Sequence, residues 1–168
     1  MLKRALLCST LLLASTGVLA ADAKADAAAG VWQTATGGYV QVYEANGEWA
    51  GKIVGSKSGK ARYDKENPDE SKRDRRLLGV NVLEGLEYAG DGEYEGGTIY
   101  DPNNGKTYKA KATLEGPDTL KARGYIGISL IGKTQTWTRV DPSNENVHQD
   151  LLENTGNAQA AESGNESQ

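Results

Sequence analysis

The sequence has little of the chemistry on which many enzymes depend. It contains one cysteine, one histidine and no phenylalanine. Cys8 lies in a short apolar run at the amino terminus, and His148 lies in a polar stretch near the carboxyl terminus. These positions leave the rest of the chain without a thiolate and argue against Ser–His catalysis and against zinc held by paired histidines. The residues therefore predict a non-enzymatic protein with no cofactor and no metal site.

Long apolar runs are also missing. The apolar residues 5–13 follow Lys3 and Arg4 and precede small residues ending at Ala20, which is the order of a signal peptide and its cleavage site. A membrane-spanning helix needs about 20 apolar residues, so this run is too short to be an anchor. We predict a signal peptide over residues 1–20, no membrane span after its cleavage, and a periplasmic location, with secretion as the alternative.

Composition divides the remaining chain into three parts. Residues 21–29 contain only Ala, Asp and Lys, and we predict a flexible leader there. Residues 141–168 are polar and acidic without Lys or Arg, which predicts a disordered acidic tail. Residues 30–140 have the length of a single domain, and their basic and acidic residues nearly balance. This balance gives no reason to expect nucleic acid or an anionic membrane as a partner.

Short alternating runs between Gly, Asn and Asp predict β-strands. Asn46 and Gly47 separate two such runs and predict a tight hairpin, because both residues accept a positive φ. Residues 101–105 predict a second turn, in which Asp101 followed by proline is typical of a turn former and not of a catalytic acid. Roughly eight strands at this spacing predict an all-β, up-and-down antiparallel β-barrel over residues 30–140.

Two sets of motifs resemble known families. Gly30 and Trp32 in the first strand, with Arg139 in the last, resemble the lipocalin arrangement, which implies that this tryptophan closes one end of the barrel beneath the arginine. Longer motifs resemble a secreted bacterial family known as domain of unknown function 2147, which is regarded as lipocalin-like. These motifs are RRLLG at 75–79, EGGTIYDP at 95–102, GKTY at 105–108, RGYIG at 123–127 and TWTR at 136–139. The resemblance implies a lipocalin-like barrel and brings no catalytic residues.

Candidate binding residues come from the tyrosines and arginines. Tyrosines on neighbouring strands offer an apolar wall and a hydroxyl to an amphipathic ligand, although they would equally fill a core without phenylalanine. The long loop 57–76 is either a lid with arginines for an anionic head group or a solvated connection with its arginines paired to carboxylates. The candidate ligand-binding residues are Tyr94, Tyr100, Tyr108, Arg123, Tyr125, Arg75 and Arg76.

Two functions follow from these observations. The first is an exported barrel that binds a small hydrophobic or amphipathic ligand, such as a fatty acid or a lipid-like molecule, in the cell envelope. The alternative is a non-catalytic envelope protein with a filled barrel, which binds a partner protein through its surface or its tail. Small inward residues, among them Ala122 and Gly124, leave a cavity only if larger side chains opposite do not fill it. The acidic residues Asp91, Glu93 and Glu95 do not match the spacing of a calcium loop.

Overall fold

Eight antiparallel strands close into one barrel. The computed structural model describes residues 24–154, so the predicted signal peptide and residues 155–168 of the predicted tail lie outside the described residues. The strands are β1 (Gly30–Gln33), β2 (Gly38–Ala45), β3 (Glu48–Ser56), β4 (Asn81–Gly90), β5 (Glu93–Asp101), β6 (Lys106–Leu114), β7 (Thr119–Tyr125) and β8 (Gly132–Val140). Each strand pairs with the next, and β8 pairs with β1. The predicted up-and-down barrel of about eight strands is confirmed.

Turn residues fix two of the hairpins at the predicted positions. Between β2 and β3, Asn46 and Gly47 have φ values of 58° and 85°, as a tight hairpin turn requires. Between β5 and β6, the carboxylate of Asp101 accepts a hydrogen bond from the N–H of Asn103 at 3.0 Å. Gly105 ends this turn at a φ of 67°, and a Cβ there would lie 1.8 Å from the carbonyl oxygen of Glu66. The turn therefore packs directly against the long loop that joins β3 and β4.

The two ends of the barrel differ in their connections. One end carries the tight turns β2–β3, β4–β5 and β6–β7 together with the amino-terminal residues, and we call it the closed end. The other end carries the turns β1–β2, β5–β6 and β7–β8 and the long loop, and we call it the open end. Buried inward side chains pack the closed end, which contains the core residues Trp32, Trp49, Leu86, Tyr94 and Leu120. The main core therefore lies toward this end.

Residues 24–29, in the predicted flexible leader, cover the closed end. Residues Asp26–Ala28 form a 3-10 helix, and Ala28 is buried. The indole Nε1 of Trp32 donates a hydrogen bond to the carbonyl of Ala28 at 2.9 Å, and the hydroxyl of Tyr94 donates to the carbonyl of Ala25 at 2.5 Å. Alanine side chains are small enough to bring the backbone against these aromatic rings. The structure thus differs from the prediction of a flexible leader in this segment.

Residues 141–154, in the predicted disordered tail, lie on the outside of the barrel. The side chain of Gln41 donates to the carbonyl of Glu153 at 2.7 Å and accepts from its N–H at 2.8 Å. Val147 of this segment packs on Val31, Tyr39 and Val54 of the barrel, and the four residues form an outer core. The few apolar residues of the segment are enough to bury these outward side chains, so the tail prediction differs from the structure up to residue 154.

Within residues 24–154, helical structure is limited to short turns. The named helices are three 3-10 helices of three residues each, Asp26–Ala28, Glu70–Lys72 and Gln149–Leu151. The second begins after Asp69, whose carboxylate accepts a hydrogen bond from the N–H of Ser71 at 3.0 Å. Between residues 24 and 154, no helix has the length and apolar character that crossing a membrane requires.

Candidate functional site

The open end of the barrel contains a cavity of about 450 Å³. Its wall is mostly apolar and comes from side chains that point inward from several strands. These wall residues are Val40, Ile53, Val82, Ile99, Ala122, Gly124 and Trp137. Small-molecule sites typically have volumes of about 300 to 1,000 Å³ and mostly apolar walls. The barrel is therefore not filled at this end. The sequence had left open whether larger side chains fill the space beside Ala122 and Gly124, and in the structure they do not.

The rim of the cavity is polar. Its residues are Thr34, Thr36, Arg62, Asp101, Asn103, Asn104, Lys133 and Gln135. The guanidinium of Arg62 donates to the side-chain oxygen of Asn103 at 3.0 Å. Neither Arg62 nor Lys133 has an ion pair with an acidic side chain of residues 24–154. The mouth of the cavity therefore combines amide and hydroxyl groups with two cations.

Three of the four predicted tyrosines line this cavity, namely Tyr100, Tyr108 and Tyr125. The hydroxyl of Tyr108 accepts a hydrogen bond from the side-chain amide of Asn104 at 3.0 Å. The hydroxyl of Tyr100 donates to the carboxylate of Asp64 at 2.6 Å. Burial and this carboxylate raise the pKa of Tyr100 to about 12, so its hydroxyl keeps its proton at neutral pH. Tyr100 offers its ring to the cavity, while its hydroxyl holds the long loop.

Two predicted ligand contacts lie elsewhere. Tyr94 is a core residue of the closed end, where its ring packs edge-on against Trp49 with 5.4 Å between the centroids. Burial raises the pKa of Tyr94 to about 12. Arg123 alternates with the inward Ala122 and so points outward, where its Nε donates to the carbonyl of Ser129 at 2.7 Å. The prediction that Tyr94 and Arg123 line the ligand site is corrected, because strand alternation and position place them outside the cavity.

The two candidate arginines of the long loop have separate environments. Asp64 is fully buried, and its Oδ2 lies 2.8 Å from the guanidinium of Arg75. Burial alone would raise the pKa of Asp64, but hydrogen bonds from Tyr100, Asn67 and Arg75 lower it below the usual 3.8. Arg75 is thus paired with a carboxylate. This agrees with the second interpretation of the long loop, in which its arginines pair with carboxylates and do not contact an anionic head group. Arg76 lines a second cleft, of about 380 Å³, beside the cavity.

The residues that the lipocalin resemblance assigns to barrel closure meet at the closed end. The guanidinium carbon of Arg139 lies 4.1 Å from the ring centroid of Trp32. Its Nη1 donates to the carbonyl of Ala29 at 2.8 Å, and its Nη2 donates to that of Ala27 at 2.7 Å. A Cβ on Gly30 would lie 2.5 Å from this Nη1, and Gly30 has a φ of 134°. Because Gly30 has no Cβ, the guanidinium of Arg139 fits beside it. The hydrogen bonds of this guanidinium connect residues 27–29 to β8.

Sequence reasoning missed the two rim cations. Lys133 shares its strand face with the inward Gln135 and Trp137, and that alternation in β8 is a signal that would have identified it. Arg62 had no such signal. Its carbonyl accepts the N–H of Leu77 at 2.9 Å, within a short antiparallel pairing inside the long loop. This pairing, which local sequence does not specify, brings Arg62 to the mouth.

Comparisons with known proteins agree with this architecture. The sequence model of a bacterial family described as "Uncharacterized protein conserved in bacteria (DUF2147)" matches residues 30–139. The solved structure of HP1028 from Helicobacter pylori, described as belonging to the lipocalin family, is similar with a TM-score of 0.63 and 30% identity. The match covers 68% of this chain and 83% of that chain. No curated protein matches the sequence. The barrel is thus lipocalin-like.

Proposed function

This chain belongs to the bacterial family DUF2147, and we propose that it binds a small amphipathic molecule, such as a fatty acid or a lipid fragment, in the cavity at the open end of its barrel. The observation that carries the proposal is the cavity of about 450 Å³ with an apolar wall and a rim that includes two cations. The wall matches an acyl chain, and the rim matches an anionic or polar head.

The apolar wall supports a ligand because protein interiors are normally close-packed. Ile53, Ile99 and Trp137 face the cavity, so on that side they have no packing partners. An acyl chain in the cavity would supply the missing contacts. Removing apolar surface from water contributes about 25 cal/mol per Å². The alternative of a partner-binding protein with a filled barrel has less support, since the open half of this barrel is not filled.

The rim supports an anionic head group. Arg62 presents a planar guanidinium of the kind that binds carboxylates with two parallel hydrogen bonds. Lys133 lies on the inward face of β8, so a head group at the mouth would meet both cations. Asp101 also lies at the rim, and its carboxylate accepts hydrogen bonds from the side chains of Asn103 at 2.8 Å and Asn104 at 3.1 Å. We assign it to the turn and propose no catalysis.

We also propose that binding takes place in the periplasm, with secretion as the alternative. The proposal depends on the signal-peptide pattern over residues 1–20, in which basic residues precede a short apolar run and a small-residue cleavage site. Fractionation of cells that produce the full chain tests it. We expect the processed protein in the periplasmic fraction, and an unprocessed protein in the cytoplasm would contradict the proposal.

Ligand binding is tested with cis-parinaric acid as a fluorescent probe and dodecanoate as its competitor. Native mass spectrometry of gently purified protein should first show a co-purifying small molecule. Ala122→Leu places extra carbon atoms inside the cavity, and we expect it to weaken cis-parinaric acid binding about tenfold or more. Ala50→Leu is the matched control, because Ala50 pairs with Tyr43 on the outer face of β3.

The outcomes separate binding from folding. Both variants should keep the circular dichroism spectrum of the barrel, and Ala50→Leu should bind cis-parinaric acid like the original protein. The proposal is overturned if the original protein shows neither a co-purifying molecule nor saturable probe binding. It is equally overturned if a folded Ala122→Leu binds the probe as tightly as Ala50→Leu does.

A further inference from the structure

The loop between β7 and β8 exposes an unusual amount of apolar surface. Its four large aliphatic side chains are Ile126, Ile128, Leu130 and Ile131, which are 66%, 60%, 84% and 67% exposed. Among residues 24–154, the other large apolar side chain with high exposure is Tyr63. Single exposed apolar residues are common in soluble proteins, but a contiguous group marks a surface that contacts something else. We call residues 126–131 the apolar loop.

Hydrogen bonds hold the apolar loop in one shape. The N–H of Ile126 donates to the carbonyl of Ile131 at 3.1 Å, and the N–H of Ile131 donates to that of Ile128 at 3.1 Å. Arg123 donates to the carbonyls of Ser129 at 2.7 Å and Leu130 at 3.3 Å. Four carbonyls of the loop and the N–H groups of Ile126 and Ile131 thus have partners inside the protein, while the aliphatic side chains remain outside.

The apolar loop continues the wall of the cavity. Ile126 and Ile131 line the mouth, next to Lys133 and Tyr125. Ile128 lies farther along the loop, outside the cavity lining. An apolar surface therefore extends from the cavity to the tip of the apolar loop.

Charge is distributed unevenly between the two ends. Cations at the open end that have no ion pair within residues 24–154 include Lys57, Lys60, Arg62, Arg76, Lys106, Arg123 and Lys133. The acids there that likewise have no ion pair are Glu66, Asp101 and Glu145. The closed end carries the acids Asp26, Glu44, Glu48, Glu87, Asp91, Glu93 and Asp118 and the cations Lys24 and Arg139, also without ion pairs in the described part of the chain, so acids predominate there. An anionic surface would therefore attract the open end and repel the closed end.

We infer that the open end docks on an anionic lipid bilayer, with Ile128 and Leu130 inserted into the interface and the cavity mouth facing the membrane. An apolar tip beside basic residues is the combination by which peripheral proteins bind such surfaces. A stable protein interface buries about 800 Å² on each partner, whereas this patch is a few side chains on one projecting loop. The orientation of the mouth rests on the proposed ligand site, but the docking is measured independently.

Vesicle flotation tests the docking. The purified chain without residues 1–20 is mixed with vesicles of phosphatidylcholine and phosphatidylglycerol in equal parts, or of phosphatidylcholine alone. We expect binding to the anionic vesicles that weakens with salt and is several-fold lower on the neutral ones. The double variant I128S/L130S should lower the partition coefficient about tenfold or more, because it removes the inserted apolar surface.

Two controls isolate the apolar and the basic contributions. The double variant I128L/L130I keeps the aliphatic surface and should bind the anionic vesicles like the original chain. K57E/K60E should lower binding to anionic vesicles several-fold, whereas K121E, at the closed end where Lys121 pairs with Glu115, should leave it unchanged. The inference is overturned if I128S/L130S binds as tightly as the original chain, or if the original chain binds neither vesicle.

Parallel measurements distinguish failure of the docking from failure of the ligand site. If cis-parinaric acid binds in solution and no vesicle binds, the docking is overturned and the ligand site stands. If vesicles bind through the loop and the probe does not bind, the ligand site is overturned and the docking stands. Self-association in sedimentation velocity that I128S/L130S abolishes, without vesicle binding, would assign the loop to a second copy of the chain and overturn the bilayer as its occupant.

Discussion

The closed and open ends of this barrel share one strand pattern and differ in the size of their inward residues. Along β7, the inward positions from the closed end to the open end are Leu120, Ala122 and Gly124. Leu120 is a core residue that does not line the cavity, whereas Ala122 and Gly124 both line it. Alternation decides which side chains point inward, but their volume decides whether the interior is a core or a site.

The two ends are also held by different forces. The closed end is apolar and aromatic, with Arg139 over Trp32 as its cation. The open end depends on a polar network around the buried Asp64. The carboxylate of Asp64 accepts a hydrogen bond from Tyr100 of β5 and forms an ion pair with Arg75 of the long loop. We therefore expect truncation of apolar side chains to damage the closed end more, and acid to loosen the open end first.

The largest expected effect comes from truncating a core residue of the closed end. Leu86 is 1% exposed, and Leu86→Ala should lower the free energy of unfolding by about 2 to 5 kcal/mol. Ile99 faces the cavity, so Ile99→Ala should cost less, about 1 to 2 kcal/mol, because part of its surface has no packing partner to lose. Chemical denaturation of both variants measures the difference. Equal losses would contradict the contrast in packing.

A smaller effect is expected at Asp64 of the open end. Since its folded pKa lies below the usual 3.8, its ionised form contributes stability that is present above that value and is lost as the pH falls through the lower folded pKa. Asp64→Asn should cost about 1 to 3 kcal/mol at pH 7 and flatten the acid side of the stability profile. Denaturation between pH 7 and pH 2 checks this. Asp91→Asn, in a closed-end turn, is the control, and an unchanged profile in Asp64→Asn would refute the role of the network.

The arginines at the two ends should differ in what they affect. Arg139→Ala removes the guanidinium over Trp32 and its bonds to backbone carbonyls, so the free energy of unfolding should fall by about 1 kcal/mol or more, with ligand affinity mostly unchanged. Arg62→Ala should leave unfolding nearly unchanged and weaken an anionic ligand such as dodecanoate. Unfolding curves and dodecanoate displacement of cis-parinaric acid measure both. If Arg139→Ala leaves unfolding unchanged, Arg139 does not close the barrel.

The smallest expected effect concerns the apolar loop. Because Ile128 is mostly exposed, Ile128→Ser should change the free energy of unfolding by less than about 0.5 kcal/mol. Thermal unfolding of Ile128→Ser and Leu86→Ala, measured under the same conditions, compares the two losses of stability directly. A loss of several kcal/mol in Ile128→Ser would show that this side chain supports the fold, and it would remove the basis for a surface that contacts lipid.

The barrel was predictable because its signals are local. The positive φ of Asn46 and Gly47 and the alternation of β6 specify hairpins within a few residues, and the strand count then favours closure. The position of Arg139 over Trp32 followed from a resemblance and not from the residues alone. Local patterns of this kind determine strands and turns without information about distant contacts.

The rest of the site depends on contacts that local sequence does not encode. Arg62 reaches the mouth through pairing inside the long loop, and Arg75 is held by Asp64 from the same loop. Basic and acidic residues nearly balance in number over residues 30–140. A total count does not show where charges lie in the fold, so it did not indicate that cations without an ion pair in the described part of the chain gather at the open end and such acids at the closed end. Residues 141–154 were predicted to be disordered because few of them are apolar, yet Val147 and its neighbours are enough to cover outward side chains of β1 to β3.

The central claim is that one end of the barrel is a site and the other is a core. Methyl NMR during titration with dodecanoate tests it most directly, since both ends carry isoleucine, leucine or valine methyl groups. We predict saturable shifts at Ile53, Val82 and Ile99 and almost none at Leu86 and Leu120. Shifts as large at Leu86 and Leu120, or no saturable shift at any methyl group, would contradict the claim.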